Sequence, residues 1–359
     1  MWKSAAVPSA HVVVPDRHWN DTDGKRIEAH AAGMLQSPAD QRWYWFGESK
    51  KLDDSHSDPH KYETQGVNCY SATTIAGPWK NEGQVLTQRD IVVPGAHGPW
   101  IVQRPKVIYN NHTRKFVMYF HLDQPKHKAA QTQGGASGYE FRRVGTATAS
   151  NAAGPFTFVR GFEPDGVPSL DMNLFRDPLD GSAYLIRDCE HKYVGISRLS
   201  SDYLNTTGII NTIPDCEGMA MLRLANGTYY MITSHKTGWN PNPLIAWRST
   251  TTSLATTNWT SLGNPTGSPT SFNSQPTYVV SYTPASGKPY FVYMGDDWVH
   301  CPNADGSEGP LINACYVWLP IRMHDQGAGP KGPVQIDDRS KWDLEDPFNP
   351  ESLRLPKAV

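Results

Sequence analysis

The chain has few charged residues and no long hydrophobic run. Only 19% of its 359 residues are Asp, Glu, Lys or Arg, and the formal net charge is -2. Because no basic run exceeds three residues, neither nucleic acid nor an anionic membrane is an expected partner. No stretch approaches the roughly 20 apolar residues of a membrane-spanning helix. Residues 1–20 lack the apolar core of a signal peptide, so a secreted protein would be represented here by its mature form.

Cysteine is also scarce, and none of the five cysteines is spaced as a zinc-binding pair. In a secreted protein, Cys301 and Cys315 could close a loop, and Cys189 and Cys216 could join neighbouring units, with Cys69 left free. The alternative is five buried, reduced thiols.

Glycine (30), proline (29), tyrosine (16) and tryptophan (12) are plentiful, and a helical period of 3.6 residues is almost absent. This composition predicts many short strands joined by turns, with aromatic rings free to stack on sugars. Tripeptides of the Asn-x-Ser/Thr type, several of them in predicted turns, favour secretion and glycosylation. They begin at Asn20, Asn111, Asn205, Asn226 and Asn258.

Apolar runs and turns recur in the same order along the chain. The turn Gly77-Pro78-Trp79 returns as Gly154-Pro155-Phe156 at the matching place of the next unit, which indicates an internal repeat. Five such units predict an all-β fold, a five-bladed β-propeller over residues 1–325, followed by an irregular tail, 326–359, packed on or near it. Residues 11–14 are expected to complete the last blade. A stacked sandwich is the alternative architecture.

In a propeller, the residues that open the units converge on one end of the central channel. They are Glu28, Gln103, Asp171, Glu217 and Gln275. A carboxylate at the mouth of a buried strand has a raised pKa and suits general acid catalysis. Two such groups facing one cavity are what cleavage of a glycosidic bond requires. The alternative for each acid is a salt bridge or a turn cap.

Several phrases, spread over residues 25 to 320, resemble glycoside hydrolase family 43, and within it the exo-β-1,3-galactanases. The phrases are Ala29-His30-Ala31-Ala32-Gly33-Met34-Leu35, Tyr44-Trp45-Phe46-Gly47-Glu48, Arg104-Pro105-Lys106-Val107-Ile108-Tyr109-Asn110, Asp171-Met172, Glu217 with its Met-Ala-Met run, Thr237-Gly238-Trp239, Ser274-Gln275-Pro276-Thr277-Tyr278 and Met294-Gly295-Asp296. The resemblance implies a five-bladed propeller that hydrolyses glycosides with inversion of configuration.

The resemblance also implies roles for single residues. Glu217 matches the general acid, Asp171 the carboxylate that keeps it protonated, and Gln275 the fifth-blade glutamine of the galactanases. Substrate-binding positions carried over or inferred are Glu48, Gln103, Tyr139, Thr237, Trp239, His30 and Trp298. The alternatives are a blade-edge salt bridge for Glu48, a loop aromatic for Tyr139, core packing for the tryptophans and a structural role for His30.

The aspartate base of most of the family is missing, because the first-blade segment is His30-Ala31-Ala32-Gly33. Two accounts stay open: an imidic-acid tautomer of Gln275 as the base, or a water that Gln275 positions. A further departure is Gln103, which stands where the galactanases carry a glutamate. No cofactor is expected to be required and no metal ligand is assigned, although a structural calcium or sodium ion in the channel is compatible with the family.

The resulting expectation is a secreted, monomeric, inverting exo-enzyme that releases galactose from the β-1,3-galactan main chain of arabinogalactan proteins. One rival is an α-L-arabinofuranosidase or β-xylosidase of the same family. The other is a propeller that binds glycans without cleaving them.

Overall fold

The structure is a computed structural model that describes residues 11–50, 64–124, 139–301, 309–324, 329 and 332–354. Most of each of the two predicted polar loops, at 49–64 and 124–138, lies outside these residues. Among the described residues, no helix is long and apolar enough to cross a membrane.

The described chain folds into five four-stranded antiparallel sheets, each with its strands in chain order. The first blade holds β2 (His30–Gln36), β3 (Trp43–Lys50), β4 (Thr64–Ala72) and β5 (Lys80–Thr87). The second holds β6 (Ile101–Asn110), β7 (Lys115–Asp123), β8 (Arg143–Ala149) and β9 (Thr157–Phe162). The third holds β10 (Ser169–Arg176), β11 (Ala183–Cys189), β12 (Tyr193–Leu199) and β13 (Thr206–Pro214).

The fourth blade holds β14 (Glu217–Arg223), β15 (Tyr229–Ser234), β16 (Leu244–Ser249) and β17 (Trp259–Gly263). The fifth holds β18 (Gln275–Tyr282), β19 (Tyr290–Asp297), β20 (Cys315–Met323) and β21 (Val334–Ile336). A separate ribbon pairs β1 (Val12–Val13) with β22 (Trp342–Asp343). Short 3-10 turns lie at Gln88–Asp90, Pro164–Gly166, Leu311–Asn313 and Pro350–Ser352. The five-bladed propeller predicted from the sequence is confirmed.

The turns that define the blades follow from local sequence. Gly181 and Gly227 adopt φ values of 75° and 91° in the hairpin turns of the third and fourth blades, a region that favours glycine. The repeated Gly77-Pro78 and Gly154-Pro155 bonds are both cis and precede the outer strands of the first two blades.

The hydrophobic core is divided among the five seams between neighbouring blades. At one seam, for example, Phe46 of the first blade and Phe120 of the second are fully buried in the same cluster. Burying a side chain of this size contributes roughly 1.5–3 kcal/mol. Because each cluster draws on two blades, the blades stabilise one another.

The first and fifth blades meet through aromatic side chains. The Trp19 ring lies 5.8 Å from Trp45 of the first blade and 4.7 Å from Trp318 of the fifth, measured between centroids. The prediction that residues 11–14 complete the last blade is wrong. The outer position of that blade is taken by Val334–Ile336, which pairs with β20, so the fifth blade extends beyond residue 325 into the segment expected to be an irregular tail.

The cysteines follow the sequence expectation only in part. Cys301 and Cys315 form a disulfide, with a Cα–Cα distance of 5.4 Å. Cys189, Cys216 and Cys69 are buried free thiols, so the pairing of Cys189 with Cys216 is wrong. Cys189 ends β11 and accepts a hydrogen bond from the Arg187 guanidinium, whereas burial raises the pKa of Cys216 to about 12.

Candidate active site

A β-bulge interrupts every inner strand close to its first residue. The register of the inner pair shifts between His30 and Gly33, Gln103 and Lys106, Ser169 and Met172, Glu217 and Ala220, and Pro276 and Tyr278. Bulges bend a strand and re-aim its side chains. Their recurrence at this level brings residues of several blades into one pocket at the end of the channel.

The pocket is a cavity of about 290 Å³. Its lining residues come from all five blades and from the connections between strands. They include Glu48, Gln103, Arg104, His121, Tyr139, Asp171, Asp188, His191, Glu217, Lys236, Trp239, Gln275 and Trp298. The three predicted catalytic residues therefore lie together, as do five of the seven predicted substrate-binding residues.

Arg104 holds the predicted acid Asp171 and contacts the fifth blade. Its Nε lies 2.7 Å from Asp171 Oδ1, and its Nη1 donates to the Pro276 carbonyl oxygen at 3.1 Å. Asp171 Oδ2 also accepts a hydrogen bond from the backbone N–H of Gly218, at 3.2 Å. The Asp171 carboxylate is thus held directly beside the residue that follows Glu217. Arg104 itself adopts φ 51° in its bulge, a left-handed conformation that is uncommon outside glycine.

The Glu217 carboxyl is tuned to stay protonated. Burial first, and then the negative charge of Asp171, raise the pKa of Glu217 to about 8, while Arg104 acts in the opposite direction. A carboxyl group with this pKa is neutral over most of the neutral pH range and can donate its proton.

Gln275 is fixed by three hydrogen bonds. Its Oε1 accepts from Arg104 Nη2 at 2.6 Å and from Trp298 Nε1 at 2.9 Å. Both partners can only donate, so the orientation of the amide follows from them. Its Nε2 donates to Glu217 Oε1 at 2.9 Å. Gln275 therefore lies against the predicted acid rather than across the pocket from it.

Lys50 is a buried cation that the sequence analysis missed. Its Nζ lies 2.9 Å from Glu48 Oε2, and both side chains are at most 2% exposed. The same ammonium group lies 5.3 Å from the ring centroid of Trp239 and 5.0 Å from that of Trp298. Lys50 thereby links the Glu48 carboxylate to the indole that holds Gln275. Glu48 forms the salt bridge considered as an alternative and also lines the pocket.

One wall of the pocket is built by Gln103, His121 and Tyr139. Tyr139 donates its hydroxyl proton to Gln103 Oε1 at 2.9 Å, while the buried Gln103 Nε2 has no hydrogen-bond partner among the described residues. His121 is paired with Gln103 across the strands. Its Nε2 lies 2.9 Å from Asp123 Oδ2, and its Nδ1 likewise has no partner in the described part of the chain. Sequence reasoning missed His121, which lies at the end of an apolar strand.

Lys236 and three neighbours form a charged rim that sequence reasoning also missed. Lys236 Nζ lies 2.8 Å from Asp188 Oδ2 and forms a second ion pair with Asp215. Burial opposes ionisation of Asp188, but hydrogen bonds from His191 and Lys236 hold its pKa below the usual range. The rim therefore places the Lys236 ammonium group near Glu217, but the Asp188 and Asp215 carboxylates already balance the charge of that ammonium group.

Thr237 and His30 do not belong to the lining. The Thr237 hydroxyl is used within its own turn, donating to the Asn240 carbonyl oxygen at 2.5 Å and accepting from Asn242 Nδ2 at 2.8 Å. His30 lies 3.1 Å from Glu28 Oε2 and stacks on Tyr316, with centroids 5.4 Å apart. These contacts correspond to the structural role considered for His30.

The described part of the channel does not suit a cation. Calcium takes about 6–8 oxygen ligands, but the Ala31 carbonyl oxygen accepts a hydrogen bond from Lys106 Nζ at 2.8 Å. Burial, and then the charge of Arg104, hold the pKa of Lys106 well below its usual range. A cation in this space would have to displace the Lys106 amine from the Ala31 carbonyl oxygen and would be repelled by the charge of Arg104. Elsewhere among the described residues, the one group of three metal-ligating side chains is His18, Cys301 and Cys315, whose sulfurs are already joined.

A five-bladed propeller with a buried, protonated carboxyl beside an arginine-anchored carboxylate defines a glycoside hydrolase. No protein-family model matches the sequence, and no curated protein sequence matches it. Comparison with solved structures is informative, however. The chain belongs to glycoside hydrolase family 43.

The family follows from a GH43 β-1,3-galactosidase solved with galactodeoxynojirimycin, which is 30% identical over 92% of this chain and all of its own length, with a TM-score of 0.72. An exo-β-1,3-galactanase from Clostridium thermocellum is 29% identical over 97% of this chain and 70% of its own, with a TM-score of 0.76. A variant of the Phanerochaete chrysosporium exo-β-1,3-galactanase, solved with β-1,3-galactotriose, is 29% identical over 93% of this chain and 68% of its own, with a TM-score of 0.74.

Proposed function

We propose that this protein is a secreted, monomeric exo-β-1,3-galactanase that releases galactose from the main chain of arabinogalactan with inversion at the anomeric carbon. The observation that carries the proposal is the set of contacts in which Arg104 holds Asp171 and Gln275, and Gln275 in turn donates to Glu217. Galactose specificity is supported by the similar structures, which are β-1,3-galactanases and β-1,3-galactosidases.

In the proposed mechanism, Glu217 protonates the glycosidic oxygen as the bond to the anomeric carbon breaks. The raised pKa supplies the proton near neutral pH. Asp171 keeps that proton in place, and Arg104 holds Asp171 and prevents it from taking the proton itself. Positive charge then develops on the sugar ring, and a water attacks the opposite face.

Gln275 acts as a positioning residue in this proposal. An imidic-acid tautomer would place a proton on Oε1, where Arg104 and Trp298 already donate. In addition, the acid and base of an inverting enzyme stand about 6.5–9.5 Å apart, whereas Gln275 Nε2 is 2.9 Å from Glu217 Oε1. Both observations support the account in which Gln275 orients groups and the water attacks a late, strongly cationic transition state.

The pocket also supports recognition of one chain end. Its volume of about 290 Å³ lies just below the roughly 300–1,000 Å³ of most ligand sites, which suits a terminal sugar better than an internal segment. Gln103, Tyr139 and Glu48 are positioned to bond hydroxyl groups, and Trp239 offers a ring for stacking.

The test is incubation with debranched β-1,3-galactan while the product is followed by proton NMR. Galactose that appears first as the α-anomer supports the proposal, whereas first appearance of the β-anomer excludes inversion. Glu217→Gln is the matched control and should release no sugar. Release from aryl arabinofuranosides or xylosides, with none from galactan, would instead support the rival specificity. Sedimentation of the intact protein tests the proposal that it is a monomer.

A further inference from the structure

The five Asn-x-Ser/Thr tripeptides are distributed unevenly over the two faces of the propeller. In each blade the inner strand starts at the pocket, so the turn between the first and second strands lies at the far end. Because the strands alternate in direction, the turn between the third and fourth strands lies at that far end too. We call the end without the pocket the far face.

Two acceptor asparagines occupy the first of these turns. Asn111 follows β6, whose opposite end carries Gln103 in the pocket. Asn226 lies between Arg223 and Tyr229, which pair at the far end of the hairpin that opens with Glu217. Both asparagines are exposed.

Two more acceptors occupy the second kind of turn. Asn205 lies between Leu199 and Thr206, which pair at the far end of the third blade. Asn258 precedes Trp259, which pairs with Ser249 at the far end of the fourth blade. These asparagines are exposed as well.

The fifth acceptor, Asn20, is outside the blades but reaches the same face. Thr22, the third residue of its tripeptide, donates its backbone N–H to the Trp79 carbonyl oxygen at 2.9 Å. Trp79 lies in the turn between β4 and β5, at the far end of the first blade. Within the described chain, none of the five acceptor amide nitrogens donates a hydrogen bond to another group.

The far face also contains the other opening of the channel. This cavity of about 730 Å³ is lined mainly by apolar side chains, among them Leu35, Trp43 and Leu179, and Leu179 is 55% exposed. Asn111 lines the opening, and Asn226 follows Ala225, which also lines it. Apolar surface at such an opening marks a place where a covering group can pack.

We propose that the far face is the glycosylated face of this protein, and that N-glycans on Asn111 and Asn226 cover the apolar opening. The inference rests on the secretion contained in the proposed function. The donor would be a lipid-linked oligosaccharide diphosphate. The asparagine nitrogen bonds to the anomeric carbon as the bond from that carbon to the diphosphate oxygen breaks, and the amide loses one proton. The pocket face carries no acceptor tripeptide and stays open to a polysaccharide.

The first experiment expresses the full chain, behind a host leader, in a eukaryotic secretory host. Glycan removal by a glycosidase that converts the modified asparagine to aspartate, followed by peptide mass spectrometry, reports occupancy at each site. We expect glycans on Asn111 and Asn226, and also on the majority of the other three sites, which are Asn20, Asn205 and Asn258. Unmodified Asn111 and Asn226 in secreted protein that still hydrolyses galactan would overturn this inference and leave the proposed function standing.

A matched control moves a glycan to the pocket face. Glu190→Asn with Lys192→Thr creates an acceptor in the exposed turn beside His191, and Glu190 already has φ 56°, which asparagine tolerates. We expect this variant to lose at least about tenfold in kcat/KM on galactan, or about 1.4 kcal/mol, and to regain it on glycan removal. The wild type should change less than about twofold on the same treatment. If the glycans of the wild type lowered kcat/KM by the same factor, this result would contradict their placement on the far face.

The cover itself is tested with an apolar fluorescent dye. Asn111→Gln with Asn226→Gln should increase dye binding, since the opening loses its glycans. Asn205→Gln with Asn258→Gln removes two glycans from outer turns and should not. An equal increase in both double variants would refute the covering role.

Discussion

The pH dependence of catalysis should move when Asp171 loses its charge. In the wild type the pKa of Glu217 is raised to about 8, so about 90% of the enzyme carries the acid proton at pH 7. Asp171→Asn removes the second largest cause of this shift and leaves the Arg104 charge unbalanced beside Glu217. With this like charge gone and the opposite charge of Arg104 left, the pKa of Glu217 should fall by about 1–3 units, the shift that a nearby opposite charge produces.

The basic limb of the kcat/KM profile should therefore fall from about pH 8 to about pH 5–7, since this profile reports the free enzyme. At pH 7 the active fraction would drop to between about one half and one hundredth. The assay is initial-rate release of galactose from a short β-1,3-galactan between pH 4 and pH 9. Asp180→Asn, in the far-face turn of the same blade, is the control and should leave the limb in place. An unchanged limb in Asp171→Asn would refute the assignment of Asp171 as the group that keeps Glu217 protonated.

Four further predictions test other parts of the site. Because the pKa of Glu217 is higher in the folded protein than its ordinary value, the wild type should lose a few kcal/mol of unfolding free energy between about pH 5 and pH 8. Glu217→Gln should not show this loss when the unfolding free energy is measured by urea titration at each pH. The same pH dependence in both proteins would contradict the prediction. Lys50→Met leaves Glu48 buried and unpaired, so it should destabilise the fold by about 3–5 kcal/mol and lower kcat; adding Glu48→Gln should restore stability but not kcat, whereas no recovery would show that packing alone was lost. Gln103→Glu gives the Tyr139 wall a charged acceptor and should raise kcat/KM about fivefold; an unchanged or lower value would mean that the amide is the better partner. Gln275→Ala should lower kcat far more than it weakens binding of galactose, and retained turnover would remove Gln275 from the mechanism.

The blades and the central acids could be predicted because their signals are local. Alternating apolar runs and Gly-containing turns define each hairpin, and topology then brings the opening residues of the hairpins together. Asp171, Glu217 and Gln275 were found in this way, and the structure places them in one pocket.

The remaining features depend on contacts between distant segments. A lysine that follows an aromatic strand is usually exposed, so nothing in the sequence near Lys50 indicates that two tryptophans from other segments enclose it. The bulge at Arg104 places a non-glycine residue at positive φ, which no turn signal predicts. The outer strand Val334–Ile336 is only three residues long, too short for an apolar pattern to be recognised.

The aromatic contact between the first and fifth blades has a consequence for temperature. Inside each blade, neighbouring strands are held by backbone hydrogen bonds, but Trp19, Trp45 and Trp318 join the ends of the ring by apolar burial. Apolar burial weakens on cooling. Slow amide exchange of the backbone groups at this seam should therefore accelerate in the cold relative to the interiors of the blades, so the contact between the first and fifth blades weakens before the sheets do when the protein is chilled.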